Sequence, residues 1–188
     1  MSTERADSSG MGSRALRFVA VVAAALGLWV VASPAGATAD RPATAMSSLE
    51  QGVLADINAL RKQHGLAPLH FNSRLSAAAR AHSSDMALRG YFSHTSASGM
   101  TFDRRIARYY PMGSSRYWSV GENLLWSSPD VDPGRALDMW WNSPEHRKNM
   151  LNARWREIGL SAVHVATAPG TYGGREVTIV TTDFGVKR

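Results

Sequence analysis

The stretch MWWNSPEHRKNML, residues 139–151, joins the end of one predicted helix to the start of another. Asn142 or Ser143 can cap the second helix, and Pro144 suits its first position. His146 then falls in the first turn, where the helix dipole disfavours a cationic side chain. The dipole biases this imidazole toward the neutral form, which is the form that binds a metal or accepts a proton. The stretch therefore predicts two consecutive helices and marks His146 as a candidate functional residue. The alternative is that His146 only caps the helix or bridges to a neighbouring loop.

Two longer helices are predicted upstream, where apolar residues recur at helical spacing. The first begins at the capping-box pair Ser47 and Glu50. The second is capped by Asn72 or Ser73 and ends at Gly90. Further helices are predicted over residues 102–110 and 132–141, and we interpret the segment YPMGSSRYWSVGEN between them as irregular and turn-rich.

The end of the chain changes from helical to strand periodicity. Residues 158–167 (IGLSAVHVAT) and 175–184 (REVTIVTTDF) both alternate apolar with small or polar side chains. The Gly-rich turn PGTYGG lies between them, so the two segments predict an antiparallel hairpin. Helices followed by a hairpin indicate an α+β fold.

The first 39 residues are typical of a targeting segment. Arg14 and Arg17 precede the apolar run 18–32, and Ala37-Thr38-Ala39 provides a small-x-small cleavage site. The run is shorter than the about 20 residues that a spanning helix needs. We therefore predict a signal peptide at 1–39 that is cleaved near Ala39, a lead-in at 40–46 and a single domain at 47–188. A retained membrane anchor stays open as the alternative, and so does Met11 as the true start.

The composition limits the chemistry that the chain can perform. It has no cysteine, which excludes thiol catalysis, cysteine zinc sites and a disulfide-stapled scaffold. The formal charge of +6 over 188 residues favours contact with anionic wall polymers or lipid headgroups, or is simply a solvated basic surface. Its arginines do not cluster with aromatic residues in a nucleic-acid reader motif, so we predict no nucleic-acid partner.

Three chemically capable side chains lie in predicted irregular backbone or at a helix start. They are His94 in YFSHTSASG, Glu122 in VGENLL and His146 in SPEHR. Two imidazoles and one carboxylate can form a His₂Glu metal set or an acid–base pair with an orienting group. The alternative is that they are surface, capping or loop residues, because no HExxH motif brings the two histidines together. For His82, on the apolar face of the second helix, we predict a packed core histidine.

The sequence resembles the CAP superfamily of cysteine-rich secretory, antigen five and plant pathogenesis-related class one proteins, in its bacterial SCP-domain branch. The resemblance rests on LADINALRKQHGLAPL, AAARAHSSDMALRGYFSHTSASG, GENLL, MWWNSPEHRKNML, REIGLSAV and VTTDFG. These motifs follow in order over residues 48–186. The resemblance implies an α-β-α sandwich with a polar cleft, which in many members is lined by two histidines and two acidic residues and associated with a divalent metal.

The resemblance assigns cleft positions residue by residue. His94 matches the first cleft histidine of the family, and Glu122 matches the glutamate of its GEN motif. The family's second acidic residue falls at Ser143, and its last histidine falls near Ile179, so two of the four positions are replaced. His146 belongs to the bacterial S-P-x-H-R pattern and is expected in the same cleft.

The expected cleft therefore contains His94, Glu122, Asn123, Ser143 and His146. His94 and His146 are the candidate ligands for a divalent cation such as zinc. Arg147 is expected either to bind an anionic ligand or to form a salt bridge, for example with Glu122. Asp183 replaces an apolar residue of the family pattern.

The expected function is an exported binding module that holds a small polar or lipid ligand, with or without a divalent metal. The alternative is a metal- or histidine-dependent hydrolase acting on peptides or the cell wall, although no G-x-S-x-G nucleophile motif is present. We predict a secreted or envelope-associated protein without a stable membrane span after signal cleavage.

Overall fold

The computed structural model describes residues 46–188, so the predicted signal peptide and residues 40–45 of the lead-in lie outside the described part. Within residues 46–188 the chain forms five α-helices and four strands, which confirms the α+β class. The helices are α1 (Ser48–Gln63), α2 (Ser73–Arg89), α3 (Phe102–Tyr109), α4 (Pro133–Trp141) and α5 (Pro144–Met150). The strands are β1 (His70–Phe71), β2 (Trp118–Ser127), β3 (Glu157–Ala168) and β4 (Arg175–Lys187).

Helices α1, α2 and α4 begin at predicted capping residues, and α2 also ends at one. The Ser47 hydroxyl accepts from the Glu50 amide, and the Glu50 carboxylate accepts from the Ser47 amide, which completes the capping box of α1. Asn72 caps α2, and Gly90 ends it at a φ of +70°. Asp132 caps α4.

The strands form one mixed sheet in the order β1-β3-β4-β2. β3 and β4 pair antiparallel, which confirms the predicted hairpin. The prediction of irregular backbone up to Asn123 is wrong in its second half, because β2 pairs with β4 along its whole length. Gly, Glu and Asn disfavour strands when considered singly, but ten residues of pairing with β4 outweigh that weak local preference.

Helices cover both faces of the sheet, as the α-β-α sandwich requires. α2 and α3 pack on one face, and α1, α4 and α5 pack on the other. Since successive strand residues point to opposite faces, Glu122 and its cross-strand neighbour Asp183 lie on the α2/α3 side. Asn123 lies on the α5 side.

One glycine allows α2 to lie directly on the sheet. A Cβ added to Gly159 on β3 would overlap the backbone of Leu75 and Ser76. Gly159 is also the cross-strand neighbour of Asp183, which in turn lies opposite Glu122. The start of α2 therefore closes over the row of the sheet that contains both carboxyl groups.

A buried arginine connects α1 to the end of α5. Arg61 is fully buried, and its guanidinium donates to the carbonyls of Ala67, Met150 and Asn152 at 2.9, 2.7 and 3.1 Å. Carbonyl groups that follow a helix end need such donors. Arg61 thereby fixes the position of the helix that carries His146.

The turn between β3 and β4 contacts the end of α2. The Thr171 amide donates to the Gly90 carbonyl at 2.8 Å, and the Tyr172 hydroxyl donates to the Tyr91 carbonyl at 2.8 Å. A Cβ on either Gly90 or Gly170 would overlap the backbone of the opposite segment. This contact fixes the start of the connector, residues 91–101, that carries His94.

Candidate functional site

His94 and Glu122 form a hydrogen-bonded pair. His94 Nδ1 lies 2.8 Å from Glu122 Oε1. The Glu122 side chain is fully buried, whereas that of His94 is half exposed. Because the carboxylate accepts, the shared proton belongs to Nδ1, which leaves Nε2 of His94 as the nitrogen with a lone pair. Glu122 therefore orients the ring and selects its tautomer.

Arg105 on α3 holds the same carboxylate from the other side. Its Nη2 donates to Glu122 Oε2, and its Nη1 donates to the His94 carbonyl and to Ser96 Oγ, both at 3.0 Å. The Arg105 residue is only 5% exposed. Both Glu122 oxygens are thus engaged, and a single guanidinium fixes the carboxylate and the connector that carries His94.

His146 is positioned by two asparagines between β2 and α5. Asn123 Nδ2 donates to the His146 carbonyl at 3.0 Å. Asn149 Nδ2 donates to Asn123 Oδ1 and to the Glu122 carbonyl, at 2.9 and 3.1 Å. Asn123 is fully buried. Its amide therefore fixes α5 against β2, and this is its role at the site in the structure.

His146 lies near enough to His94 for the charge of one imidazole to affect the other. Burial lowers the pKa of His146 below its ordinary value, the nearby His94 lowers that pKa further, and Glu145 opposes the shift. His146 is accordingly neutral at pH 7. The sequence predicted a neutral imidazole from the helix dipole, whereas the larger cause in the structure is burial.

A mainly apolar cavity of about 240 Å³ adjoins His146. Its apolar lining comes from β2, α4 and the connector: Leu124, Leu125, Trp126, Met139, Trp140 and Phe92. Ser143 and His146 are the polar residues that line it. The cavity therefore offers apolar contact to a ligand, with an imidazole and a hydroxyl available for hydrogen bonding.

Asp183 brings a second buried carboxyl group beneath this site. It is fully buried, and its cross-strand neighbour is Glu122. Burial raises the pKa of Asp183 well above its usual range, Glu122 raises it further, and Arg105 lowers it in part. When two carboxyl groups lie opposite each other and share one guanidinium, repulsion between two negative charges favours protonation of one of them. Since Glu122 is paired with Arg105, that proton belongs to Asp183.

This arrangement predicts how stability depends on pH. Above the ordinary pKa of an aspartate and below the raised pKa of Asp183, the folded state binds more protons than the unfolded chain. The free energy of unfolding therefore falls as pH rises through that window. We expect Asp183→Asn to match the unchanged protein near pH 4 and to exceed its stability by about 1–3 kcal/mol near pH 8. Urea unfolding at both pH values measures the difference.

Asp138→Asn, at an exposed position on α4, is the matched control. It removes the same charge without removing a buried group, so its stability difference is expected to stay within about 0.5 kcal/mol at both pH values. An Asp183→Asn protein that is less stable than the unchanged protein at pH 8 would contradict a neutral Asp183.

The remaining predicted residues take varied positions. Ser143 is the N-cap of α5 and lines the cavity, although its side chain makes no capping hydrogen bond. Ile179 is a fully buried core residue. Arg147 does not pair with Glu122, because its guanidinium stacks on the Trp141 ring at 5.1 Å. His82 is 1% exposed and bonded through Nε2 to the Ser93 carbonyl at 2.8 Å, as expected of a core histidine.

Sequence reasoning did not identify Arg105, which makes the ion pair with Glu122. Asp183 was noticed only as an unexplained replacement. The available signal was small: Arg105 precedes Ile106 on the buried side of a short helix, and a buried arginine needs hydrogen-bond acceptors, which a carboxylate can supply. The carboxylate that it binds is separated from it by 17 residues.

The side chains present do not complete a metal site of the usual kind. Among residues 46–188, no group of three or more His, Asp or Glu side chains is arranged to hold a metal ion. Catalytic zinc takes three protein ligands, while Glu122 is engaged by His94 and Arg105. His94 and His146 remain the predicted ligands, but they are only two.

Known proteins resemble this chain in both sequence and structure. "Uncharacterized protein YkwD" of Bacillus subtilis (strain 168) is 37% identical over 139 residues, which cover 70% of this chain and 51% of that protein. "Uncharacterized membrane protein YlbC" of the same organism is 32% identical over 111 residues, covering 59% and 30%. The chain therefore spans about half or less of the length of these curated relatives.

Two solved structures share the fold. An extracellular protein containing a SCP domain from Bacillus anthracis str. Ames superposes with a TM-score of 0.55 at 29% identity, over 72% of this chain and 39% of that one. An outer surface protein from Borrelia burgdorferi superposes with a TM-score of 0.57 at 22% identity, over 73% and 92%, and shows likeness of fold alone. Within residues 46–188 we find no helix of the length and apolarity needed to cross a membrane.

A family model described as "CAP: Cysteine-rich secretory protein family" matches residues 54–181. The matched region runs from α1 into β4 and contains His94, Glu122 and His146. This match extends over more than half of the chain and confirms the resemblance found in the sequence. The protein belongs to the cysteine-rich secretory protein (CAP) family.

Proposed function

We propose that this protein is an exported binding module whose domain spans residues 47–188 and holds a small amphipathic ligand beside His94 and His146. The observation that supports this function best is the cavity of about 240 Å³, whose lining is six apolar side chains with Ser143 and His146. Export is supported by the pattern of residues 1–39, with cleavage near Ala39, and by a similar protein of known structure that is described as extracellular.

The size of the cavity limits the ligand. Sites for drug-sized ligands occupy about 300–1,000 Å³, so a cavity of about 240 Å³ accepts a short apolar chain or one end of a longer lipid. The polar head of that ligand would lie against the imidazoles of His94 and His146. A neutral His146 can donate or accept a hydrogen bond there, and no positive charge on its imidazole has to be buried.

Filling the cavity tests this function. We expect octanoate, used as a probe with a short chain and a polar head, to bind the purified protein in a calorimetric titration. Ser143→Phe places a ring in the cavity and should weaken binding at least about tenfold, a loss of roughly 1.4 kcal/mol. Ser143→Ala is the matched control: it leaves the cavity open, removes one hydroxyl contact and no capping hydrogen bond, and should weaken binding by about threefold at most. Equal affinities for the two variants would reject the cavity as the binding site.

The His94–Glu122 pair supports a hydrolase as a second candidate. A carboxylate on Nδ1 leaves Nε2 free to accept a proton, which is the arrangement of a general base with its orienting group. Such an enzyme would act on peptides or wall polymers by activating a water molecule. Release of product from these polymers, lost in His94→Ala and retained in Ser143→Ala, would establish it. Equal product release by His94→Ala and the unchanged protein would show that His94 is not a general base.

The zinc prediction has its own measurement. If His94 and His146 hold zinc, calorimetry should show micromolar binding that His94→Ala and His146→Ala each abolish. His164→Ala is the control, because His164 is paired with Glu176 at 3.2 Å on the β3–β4 hairpin, away from the cleft residues. If the heat of zinc binding were the same in His94→Ala, in His146→Ala and in the unchanged protein, these histidines would bind no zinc.

A further inference from the structure

The connector covers a buried histidine on α2. His82 is 1% exposed, and its Nε2 lies 2.8 Å from the carbonyl oxygen of Ser93, one residue before His94. Its ring also meets the ring of Tyr91 edge to face, with 6.1 Å between the centroids. Because a carbonyl only accepts, Nε2 of His82 is the donor and carries the ring proton. This hydrogen bond holds the connector against α2 just before the residue that pairs with Glu122.

The other ring nitrogen of His82 has no acceptor for a second proton. Nδ1 is buried, and within residues 46–188 it has no hydrogen-bond partner. In the neutral ring this nitrogen carries only a lone pair. In the imidazolium it would carry an N–H group, and a buried, charged donor without an acceptor is strongly unfavourable. Protonation of His82 therefore opposes the closed arrangement of the connector.

The groups around His82 do not remove this cost. Titratable or charged side chains come from every element packed around the ring: Asp85 on α2, Tyr91 on the connector, Arg105 on α3, Glu122 on β2 and, beside Glu122, Asp183 on β4. Burial is the largest influence and lowers the pKa of His82, Glu122 opposes this shift, and Arg105 adds to it. Glu122 and Asp85 already accept hydrogen bonds from other side chains. The ring of His82 is therefore neutral at pH 7.

The connector is the part of this cover that can open at the lowest cost. Of residues 92–99, all but Ser96 are exposed, so lifting this segment exposes little apolar surface. The segment is also held by the bonds of His94 with Glu122 and of Arg105 with the His94 carbonyl and Ser96 Oγ, which water can replace. By contrast, the first turn of α2 lies directly on β3 at Gly159 and cannot move aside.

We propose that His82 is an acid-sensitive switch for the connector: a proton on Nδ1 shifts residues 92–99 toward an open arrangement in which the ring of His82 reaches water. In that arrangement His94 separates from Glu122, and Phe92 leaves the wall of the apolar cavity. Acid therefore disassembles the site that neutral pH assembles. The effect on ligand binding rests on the proposed function, whereas the opening of the connector does not.

The expected size of the effect follows from proton linkage. In the open form His82 is hydrated and has the usual histidine pKa of about 6.5, whereas the closed form lowers that pKa. Between these two values the open form binds more protons. The equilibrium constant for opening therefore rises as the pH falls, by at most about tenfold per pH unit. Protonation of His94 acts in the opposite direction, because an imidazolium beside Glu122 holds the connector more firmly.

Amide hydrogen exchange on the purified protein without ligand tests the switch. After correction for the intrinsic pH dependence of exchange, protection over residues 93–99 should fall at least about threefold between pH 7.5 and pH 5.5. His82→Gln removes the titration and keeps an amide N–H that can donate to the Ser93 carbonyl, so its protection should stay constant or rise over this range. His70→Gln, at an exposed position on β1, is the matched control and should follow the unchanged protein. Equal pH dependence in His82→Gln and the unchanged protein would overturn the proposal.

A second measurement needs no variant. The carbon NMR signal of His82 Cε1 reports protonation of the ring in the unchanged protein. Protection over residues 93–99 should fall until the pH reaches the midpoint of that signal and should level off below it. Protection that stays constant from pH 7.5 down to this midpoint would overturn the proposal. Neither measurement involves a ligand, so failure of the switch and failure of the cavity to bind octanoate are separate results.

Discussion

Replacing Arg105 with alanine is expected to lower the free energy of unfolding by about 3–5 kcal/mol. The substitution leaves the buried Glu122 carboxylate without its ion-pair partner, directly opposite the buried Asp183. Removing one member of a buried pair costs more than the pair contributes, because the remaining charge stays desolvated. The His94 carbonyl and Ser96 Oγ also lose their donor. Urea denaturation at pH 7 measures the loss.

The adjacent residue on α3 provides the control for this prediction. Arg104→Ala removes an equal charge from the same helix at an exposed position and should cost less than about 0.5 kcal/mol. The double variant Arg105→Ala with Glu122→Gln should be more stable than the sum of the two single losses implies, because neither charge is then left alone. A strictly additive pair of losses would show that Arg105 and Glu122 are not coupled.

Replacing Gly159 with alanine is expected to cost at least about 3 kcal/mol, since the new methyl group would overlap the backbone of Leu75 and Ser76. A flexible side chain could move aside, but the first turn of α2 cannot move without breaking its contacts with the sheet. The Ser76 hydroxyl donates to the Leu160 carbonyl at 2.7 Å and accepts from the Leu160 amide at 3.0 Å. Thermal and urea unfolding both report the change.

Gly134→Ala is the matched control, because Gly134 is exposed in the first turn of α4 and the nearest atom to an added Cβ lies at 3.4 Å. The same methyl group there is expected to be neutral or to stabilise by up to about 1 kcal/mol, as alanine favours helix. If Gly159→Ala unfolded at the same urea concentration as the unchanged protein, the close packing of α2 on β3 would be wrong.

The helices were predictable because their ends have local causes. Ser47 with Glu50, Asn72, Gly90 and Asp132 each act within about one turn, and each lies at a helix end in the structure. Strand periodicity likewise located the β3–β4 hairpin. These signals depend on neighbours in sequence, so a single sequence is enough to detect them.

β2 was missed because its stabilising contacts are distant in sequence. Gly121, Glu122 and Asn123 have low intrinsic strand preference, and the strand is held by β4 about 60 residues later. β1 was not predicted because its two residues are too few to show an alternation of apolar and polar side chains. The sequence predicted irregular backbone around Glu122, and this prediction was wrong because Glu122 lies within β2.

The candidate site was predictable only in part. The resemblance indicated His94 and Glu122, and the structure brings them into contact across 28 residues of sequence. The resemblance did not indicate Arg105, because no local sequence pattern connects Arg105 to Glu122. For Asp183, the sequence recorded an unusual residue, and only the pairing of β4 with β2 shows that a second carboxyl group faces Glu122.

The contact between Gly90 and Gly170 has a practical consequence for protein engineering. Backbone touches backbone there, so a loop graft or epitope tag inserted at residue 170 would displace the start of the segment that leads to His94. Only three or four residues further on, a Cβ at Gly173 has no neighbour nearer than 4.0 Å, and one at Gly174 meets nothing within 4 Å. Side chains added at residues 173 and 174 therefore meet more open space than one added at residue 170.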